Sequence, residues 1–170
     1  HISTEYVFDG TKIEPYVETD EPRPVNEYGK SKLRGERNIA AVFDDYLILR
    51  TSWLFGPGGK NFIDTVLSLA DERAEITLVN DKRGAPTSTR AIPQAIYKLT
   101  ATERTGTYLL DAQGHCTGYE LAQQVLDVSG KGSRMTPVDT DHYDRPARRP
   151  LTCALDCGLI AREAGIRLRP

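Results

Sequence analysis

Residues 46–55, YLILRTSWLF, form a largely apolar run that ends at the turn sequence Gly56-Pro57-Gly58-Gly59. Asp45 precedes the run, and its short length between polar and turn-forming residues favours a strand over a helix. Apolar residues at consecutive positions predict that both faces of this strand are buried, as in a parallel sheet covered by helices. The run therefore constrains the chain to folds with a covered sheet.

Amphipathic segments alternate with further short apolar runs along the chain. Helices are predicted over 27–43, 61–73, 91–101, 119–128 and 159–164, and strands over 6–8, 46–55, 76–79 and 108–110. This alternation predicts an α/β fold with a doubly wound, largely parallel sheet. Prolines punctuate the chain from residue 137 onward, so we expect a smaller, looser C-terminal lobe there.

The charge balance excludes some classes of partner. The chain has 22 Lys and Arg against 24 Asp and Glu, a net charge of -2, so we predict no nucleic-acid partner and no membrane partner. No apolar stretch approaches the roughly 20 residues that span a bilayer. The three cysteines are few and odd in number, which is typical of a reducing compartment. We therefore predict a cytoplasmic protein.

A strand-end hydroxyl and a helical Tyr-x-x-x-Lys pair suggest a reaction site. Tyr28 and Lys32, within YGKSK, are one helical turn apart and point the same way. A lysine cation beside a phenol favours the phenolate and moves the tyrosine toward acid-base work. Ser3 or Thr4 could then hold a substrate carbonyl oxygen near the phenol. The alternative is a surface pair, because Tyr-x-x-x-Lys occurs by chance in many helices.

Three stretches make a family resemblance specific: STEYVFDG, YGKSKLRGE and RTSWLFGPGGKNF. With them the chain resembles the extended short-chain dehydrogenase/reductases and, within these, the dTDP-4-dehydrorhamnose reductases. Epimerases and dehydratases of the superfamily share the Ser/Thr, Tyr and Lys residues, but RTSW and NDKRGAPTS are similar to the reductases. The resemblance implies the C-terminal part of a Rossmann-like doubly wound sheet with a small substrate-binding lobe. Residues 1–130 would be the catalytic part with substrate-lobe insertions, and residues 131–170 a substrate-binding tail.

The resemblance also implies residue roles. Tyr28 would protonate the 4-keto oxygen of a dTDP-4-keto-6-deoxy sugar, Thr4 would hydrogen-bond that oxygen, and Lys32 would hold the nicotinamide ribose of NADPH or NADH and tune Tyr28. Trp53 would form a wall of the substrate pocket, although an aromatic core plug is the alternative. The polar residues expected beside that pocket are Asn61 and Arg83, and a solvated surface charge is the favoured alternative for Arg83. The resemblance allows a homodimer, and no cluster of oxygen ligands predicts a metal site.

Two departures from the family pattern stand out. Glu5 occupies a position where the family usually has Asp. No Gly-rich dinucleotide fingerprint occurs, so we expect a C-terminal piece that does not bind the cofactor tightly alone. The alternatives to a reductase are a nucleotide-sugar epimerase or dehydratase, and a non-catalytic regulatory subunit that resembles the β subunit of methionine adenosyltransferase.

Overall fold

The computed structural model describes residues 1–170. Its strands are β1 (Ile2–Thr4), β2 (Leu47–Thr51), β3 (Leu54–Phe55), β4 (Glu75–Val79), β5 (Arg83–Gly84), β6 (Thr87–Ser88), β7 (Gly106–Leu109), β8 (Cys116–Thr117) and β9 (Arg134–Val138). Its α-helices are α1 (Glu27–Val42), α2 (Phe62–Glu72), α3 (Ala91–Thr100), α4 (Gly118–Ser129) and α5 (Gly158–Ala164). Short 3-10 turns cover Glu5–Val7 and Thr140–His142. None of the helices combines the length and the apolar character that crossing a bilayer requires.

The main sheet is parallel and has helices on both faces. Its strand order is β1-β2-β7. Tyr108 packs with side chains of α3 and α5 in the larger core, whereas Leu109 packs with Leu33 of α1 in a second core. Neighbouring residues of a strand point to opposite faces, so α1 lies on one side of the sheet and α3 and α5 on the other. This arrangement confirms the predicted doubly wound α/β architecture.

A smaller lobe is built on a second parallel pair, β4 and β9, which align Glu75 with Arg134 and Val79 with Val138. Helices α2 and α4 cover this pair through a small core of Val66, Ala122 and Leu126. Helix α4 begins with a reciprocal hydrogen-bonded cap between Thr117 and Glu120, and it ends at Gly130, which has a φ of 68°. Glycine adopts this left-handed conformation without the steric cost that other residues incur, so it ends the helix.

Three local predictions need correction. The strand predicted over 6–8 is wrong. Those residues belong to the 3-10 turn Glu5–Val7 and to Phe8, the residue that ends it, and the strand lies immediately before this turn, at Ile2–Thr4. The predicted strand over 46–55 is interrupted, because Trp53 takes a φ of 42° between β2 and β3. The tail from residue 137, expected to be loose, begins within β9, whose last two residues are Pro137 and Val138. Proline is tolerated in edge strands, and β9 pairs with β4 alone.

Segments on both sides of residue 130 contribute to the β4–β9 pair and to the layers around the main sheet. The β4–β9 pair joins Glu75–Val79 to Arg134–Val138, while α5, near the C-terminal end, packs against β7 of the main sheet. The assignment of residues 1–130 and 131–170 to separate roles therefore stays a prediction, and the two sheets describe the architecture better than a single boundary does.

Candidate functional site

The carboxyl end of β1 presents two hydroxyl side chains with different surroundings. Ser3 donates a hydrogen bond to Glu36 of α1, and Glu36 also pairs with the Arg50 guanidinium at 2.6 Å. The Glu36 and Arg50 side chains are only 5% and 6% exposed, so Ser3 belongs to a buried network that fastens α1 to the main sheet. Of the two hydroxyls, Thr4 is therefore the one free of this helix–sheet network.

Thr4 ends β1 and caps the 3-10 turn that follows. Its Oγ1 accepts a hydrogen bond from the Tyr6 backbone N–H at 3.2 Å and donates one to Glu5 Oε2 at 2.7 Å. Such a local bond from the backbone to a hydroxyl stabilises a turn in place of continued strand pairing. The chain consequently turns at the strand end and brings the Tyr6 ring toward helix α1.

Helix α1 begins after Asn26, whose side chain accepts a hydrogen bond from Gly29 N–H at 2.8 Å. A Cβ on Gly29 would lie 2.1 Å from the Tyr6 carbonyl oxygen, so only glycine allows this close approach. The approach brings the Tyr28 ring into edge-to-face contact with the Tyr6 ring, at 5.7 Å between centroids. Tyr28 is 54% exposed, and its hydroxyl makes no hydrogen bond within the chain. The Tyr28 ring is thus held by its contact with Tyr6, while its hydroxyl oxygen is accessible to solvent.

Lys32 lies one turn after Tyr28 and reaches back to the main sheet. Its Nζ donates a hydrogen bond to the Ile2 carbonyl oxygen at 2.6 Å. An ammonium group carries three N–H donors, so two remain for other partners. The structure therefore places Thr4 at the end of β1, and Tyr28 and Lys32 in the first two turns of α1, which packs against β1. Their shared reaction site stays a prediction.

A cavity of about 690 Å³ lies between this region and the smaller lobe. Aromatic and aliphatic side chains form most of its wall, including Tyr6, Trp53, Phe55, Phe62, Leu69 and Leu121. Three cationic side chains also line it: Lys82, Arg145 and Arg149. A mostly apolar cavity with a few charged groups suits an organic ligand that carries an anionic portion.

Two of these cationic groups, Lys82 and Arg145, contact neighbouring tyrosines. Lys82 Nζ donates a hydrogen bond to the Tyr6 hydroxyl at 2.9 Å. The Arg145 guanidinium lies 5.2 Å from the centre of the Tyr143 ring, and the Tyr143 hydroxyl donates to the Thr77 carbonyl oxygen at 2.8 Å. Sequence patterns did not single out these residues. The basic stretch RPARRP, residues 145–150, was the one available indication, since a cluster of arginines suits an anion.

Trp53 stands at a sharp bend between β2 and β3. Asp111 fixes this bend by accepting hydrogen bonds from Ser52 N–H at 2.7 Å, from the Ser52 hydroxyl at 2.5 Å and from the Thr51 hydroxyl at 3.1 Å. Burial raises the pKa of Asp111 to about 6, against the opposing effect of these hydrogen bonds. The indole lies against Gly84, where a Cβ would come within 2.4 Å of the ring. Trp53 therefore lines the cavity on a rigid support.

The other two predicted pocket residues lie outside the cavity wall. Asn61 caps helix α2, with its side-chain oxygen accepting from Ile63 N–H at 3.0 Å and Asp64 N–H at 3.3 Å. Arg83 is exposed in β5 and donates a long hydrogen bond of 3.5 Å to the His115 carbonyl oxygen. The geometry thus gives Asn61 a helix-capping role, and a substrate contact by either residue stays a prediction.

Comparisons with known proteins agree with this architecture. The model of the RmlD substrate binding domain matches residues 1–170. The spore coat polysaccharide biosynthesis protein SpsK of Bacillus subtilis is 40% identical over 99% of this chain and 59% of its own length. A dTDP-4-dehydrorhamnose reductase of Burkholderia thailandensis is 40% identical over 99% of this chain and 62% of its own length. The chain thus spans about 60% of the length of these relatives.

Solved structures of dTDP-4-dehydrorhamnose reductases are similar to this chain as well. A dTDP-4-dehydrorhamnose reductase from Clostridium acetobutylicum superposes with a TM-score of 0.95 at 36% identity, covering 99% of this chain and 60% of that one. The enzyme of the same name from Bacillus anthracis, solved with NADP, has a TM-score of 0.95 at 34% identity, with the same coverage. The fold, the family model and these identities together show that the chain belongs to the RmlD substrate binding domain family, the family of the dTDP-4-dehydrorhamnose reductases.

Proposed function

We propose that the chain supplies the catalytic and sugar-binding groups of a reductase that converts the 4-keto group of a dTDP-4-keto-6-deoxy sugar to an alcohol with NADPH or NADH. The observation that carries this proposal is the placement of Thr4 at the end of β1 and of Tyr28 and Lys32 on α1, which packs against β1, with Tyr28 in contact with Tyr6, a residue of the cavity wall. The family membership supports it, because its members include proteins named as reductases of this substrate class.

In this proposal Tyr28 is the general acid and Thr4 holds the keto oxygen. The Tyr28 ring is fixed by Tyr6 while its hydroxyl is free, which suits a group that must reach a substrate oxygen. Reduction of a ketone places negative charge on that oxygen. A phenol O–H that donates to it stabilises the charge and supplies the proton that completes the alcohol.

Lys32 suits a nicotinamide ribose. One of its N–H donors is used by the Ile2 carbonyl oxygen, which anchors the ammonium to β1, and the other two can bind ribose hydroxyls. A nicotinamide cofactor, when bound there, supplies the hydride that reduces the sugar carbonyl. The NADP in the Bacillus anthracis relative favours NADPH as the cofactor of this chain.

The large cavity suits the dTDP portion of the substrate. Its volume of about 690 Å³ lies within the usual range of about 300–1,000 Å³ for ligand sites. The positive charges of Lys82, Arg145 and Arg149 would neutralise the diphosphate. A guanidinium group can also bind two phosphate oxygens at once through parallel N–H donors, which suits the two arginines to this ligand. The Trp53 indole would pack against a ring of the ligand. A homodimer and a cytoplasmic location complete the proposal.

Oxidation of NADPH or NADH in the presence of a dTDP-4-keto-6-deoxy sugar tests this function. The assay uses the complete gene product, because the chain spans about 60% of the length of its relatives. We expect one cofactor oxidised per sugar reduced, with loss of activity in Tyr28→Phe. The matched control is Tyr97→Phe, which removes an exposed hydroxyl from α3 and should leave the rate unchanged.

Two other results would overturn the proposal. Conversion of a nucleotide sugar without net oxidation of the cofactor would indicate an epimerase or a dehydratase, because these enzymes regenerate their cofactor in each turnover. Absence of both conversion and oxidation would favour a non-catalytic subunit.

A further inference from the structure

A buried carboxyl group lies directly beside the hydroxyl that the proposed function assigns to the keto oxygen. Glu5 is only 5% exposed, and its Oε2 accepts the hydrogen bond from Thr4 Oγ1 at 2.7 Å. No Lys, Arg or His lies within salt-bridge distance of this carboxyl group. Buried carboxylates are normally paired with a cation, so the position of Glu5 needs another explanation.

The Thr4 hydroxyl has a single proton, so its hydrogen bond with Glu5 determines what it can offer to a substrate. A hydroxyl has one proton to donate and two lone pairs that accept. The Tyr6 N–H, at 3.2 Å, occupies one lone pair. When Glu5 is a carboxylate, the Thr4 proton must point to Glu5, and only a lone pair can face a substrate oxygen. When Glu5 carries a proton, that proton can occupy the second lone pair, and the Thr4 proton is released toward the substrate.

The surroundings of Glu5 favour its protonated form near neutral pH. Burial raises the pKa of Glu5 to about 7, although the hydrogen bond from Thr4 opposes this rise. Of the charged groups that face it, Asp111, two residues after β7, adds to the rise and Lys82, before β5, opposes it. Cys153 is a further titratable neighbour, and burial raises the pKa of its thiol, which keeps the thiol neutral.

We propose that Glu5 is a positioning residue for the ketone reduction, whose protonated form donates to Thr4 and thereby turns the Thr4 hydroxyl proton toward the substrate carbonyl oxygen. This inference rests on the proposed function. Glu5 gives up no proton in the reaction, because the proton of the product alcohol comes from Tyr28. Its effect is to fix the direction of one hydrogen bond, so ionisation of Glu5 switches Thr4 from donor to acceptor at the substrate.

The pH profile of kcat/KM tests this role in the complete gene product, from about pH 5.5 to about pH 8.5. In the unmodified protein we expect kcat/KM to fall about tenfold per pH unit above the Glu5 pKa of about 7. In Glu5→Gln the amide N–H donates to Thr4 at every pH, so this fall should disappear. Thr4→Val removes the hydroxyl on which Glu5 acts and should abolish the fall as well, whereas Thr4→Ser should retain it.

The outcomes separate this inference from the function on which it rests. A protein that reduces the keto sugar with the same fall in Glu5→Gln as in the unmodified protein would overturn the role of Glu5 alone. A fall in kcat/KM that persists in Thr4→Val would also overturn the role of Glu5. This second comparison remains available even if Glu5→Gln does not fold. Absence of ketone reduction at every pH would instead overturn the proposed function. A fall in kcat/KM at high pH that is present in the unmodified protein and in Thr4→Ser, and absent in Thr4→Val, supports the inference.

Discussion

Replacing Gly84 with alanine is expected to displace the Trp53 indole into the large cavity. A Cβ on Gly84 would lie 2.4 Å from both Cε2 and Nε1 of the indole, and 2.8 Å from Cδ2. Favourable contacts between carbon atoms lie at about 3.5–4.0 Å, so the ring must retreat by about 1 Å. Gly84 does not have a positive φ, so alanine suits the backbone and the added methyl group alone causes the effect.

The cost of this displacement can be bounded. The bend that carries the indole is held by the Asp111 hydrogen bonds to Ser52 and by the hydrogen bond from Thr87 N–H to the Trp53 carbonyl oxygen at 3.2 Å. Overpacking at such fixed sites costs about 1–3 kcal/mol. If a bound sugar nucleotide must push the ring back, this cost appears in KM as an increase of about 5-fold to 150-fold. The value of kcat should change less, because Gly84 supports the indole and is not one of the groups proposed to act on the keto oxygen.

Fluorescence provides a measurement that does not depend on turnover. Trp53 is the single tryptophan among these 170 residues, so difference spectra against Trp53→Phe isolate its emission. We expect a shifted emission maximum in Gly84→Ala and a higher KM for the dTDP sugar. The matched control is Gly132→Ala, because no atom lies within 4 Å of a Cβ at that position.

Unchanged emission together with unchanged KM in Gly84→Ala would refute the reasoning. It would mean that the indole rotates away at no cost, and that Gly84 does not fix the cavity wall. An equal rise in KM for Gly132→Ala would also contradict it, because a general loss of stability would then explain both variants.

Three further predictions concern polar groups. Tyr28→Phe should lower kcat for ketone reduction by about 10²- to 10⁴-fold with little change in cofactor affinity, and a rate near that of the unmodified protein would show that the phenol is not the acid. Glu36→Gln should lower the free energy of unfolding by about 3–5 kcal/mol in urea, because it leaves the Arg50 charge buried and uncompensated, and a loss below about 1 kcal/mol would contradict this. Glu5 and Asp111 have pKa values raised from 4.5 to about 7 and from 3.8 to about 6, so the folded state binds more protons than the unfolded state between these values. Their contribution to the free energy of unfolding is therefore complete below about pH 4 and is lost as the pH rises to about 7, which urea titrations of the unmodified protein and of Glu5→Gln can compare.

Sequence patterns predicted the helices well, because their apolar residues recur with a helical period and several of them have a capping residue at one end. Helix α1 follows the capping residue Asn26, and α4 ends at a glycine in the left-handed conformation. The strands were harder to predict. Val7 and Phe8 are fully buried apolar residues, yet a turn buries them as completely as a strand would, so apolar character alone could not decide between the two.

The candidate site was predictable in part. Tyr28 and Lys32 are four residues apart on one helix, so their proximity follows from local geometry. Lys82 and Arg149 reach the cavity through contacts between distant parts of the chain, which no local pattern encodes. The burial of Glu5 was also hidden, because carboxyl groups are almost always solvated and the sequence does not show which ones are enclosed.

The route of the chain between its two sheets limits how the protein can be divided. After β2 the chain enters the smaller lobe through α2 and β4, returns to form β7, enters the lobe again through α4 and β9, and returns once more to form α5. The pairing of Glu75 with Arg134 therefore closes only after the intervening main-sheet segments have been synthesised. Contacts of such long sequence separation slow folding, because the loop must close before any pairing energy is gained. A protease that cuts one connection would leave both lobes attached by the other crossings, so a nicked chain should migrate as one particle in the absence of denaturant and as two fragments in its presence.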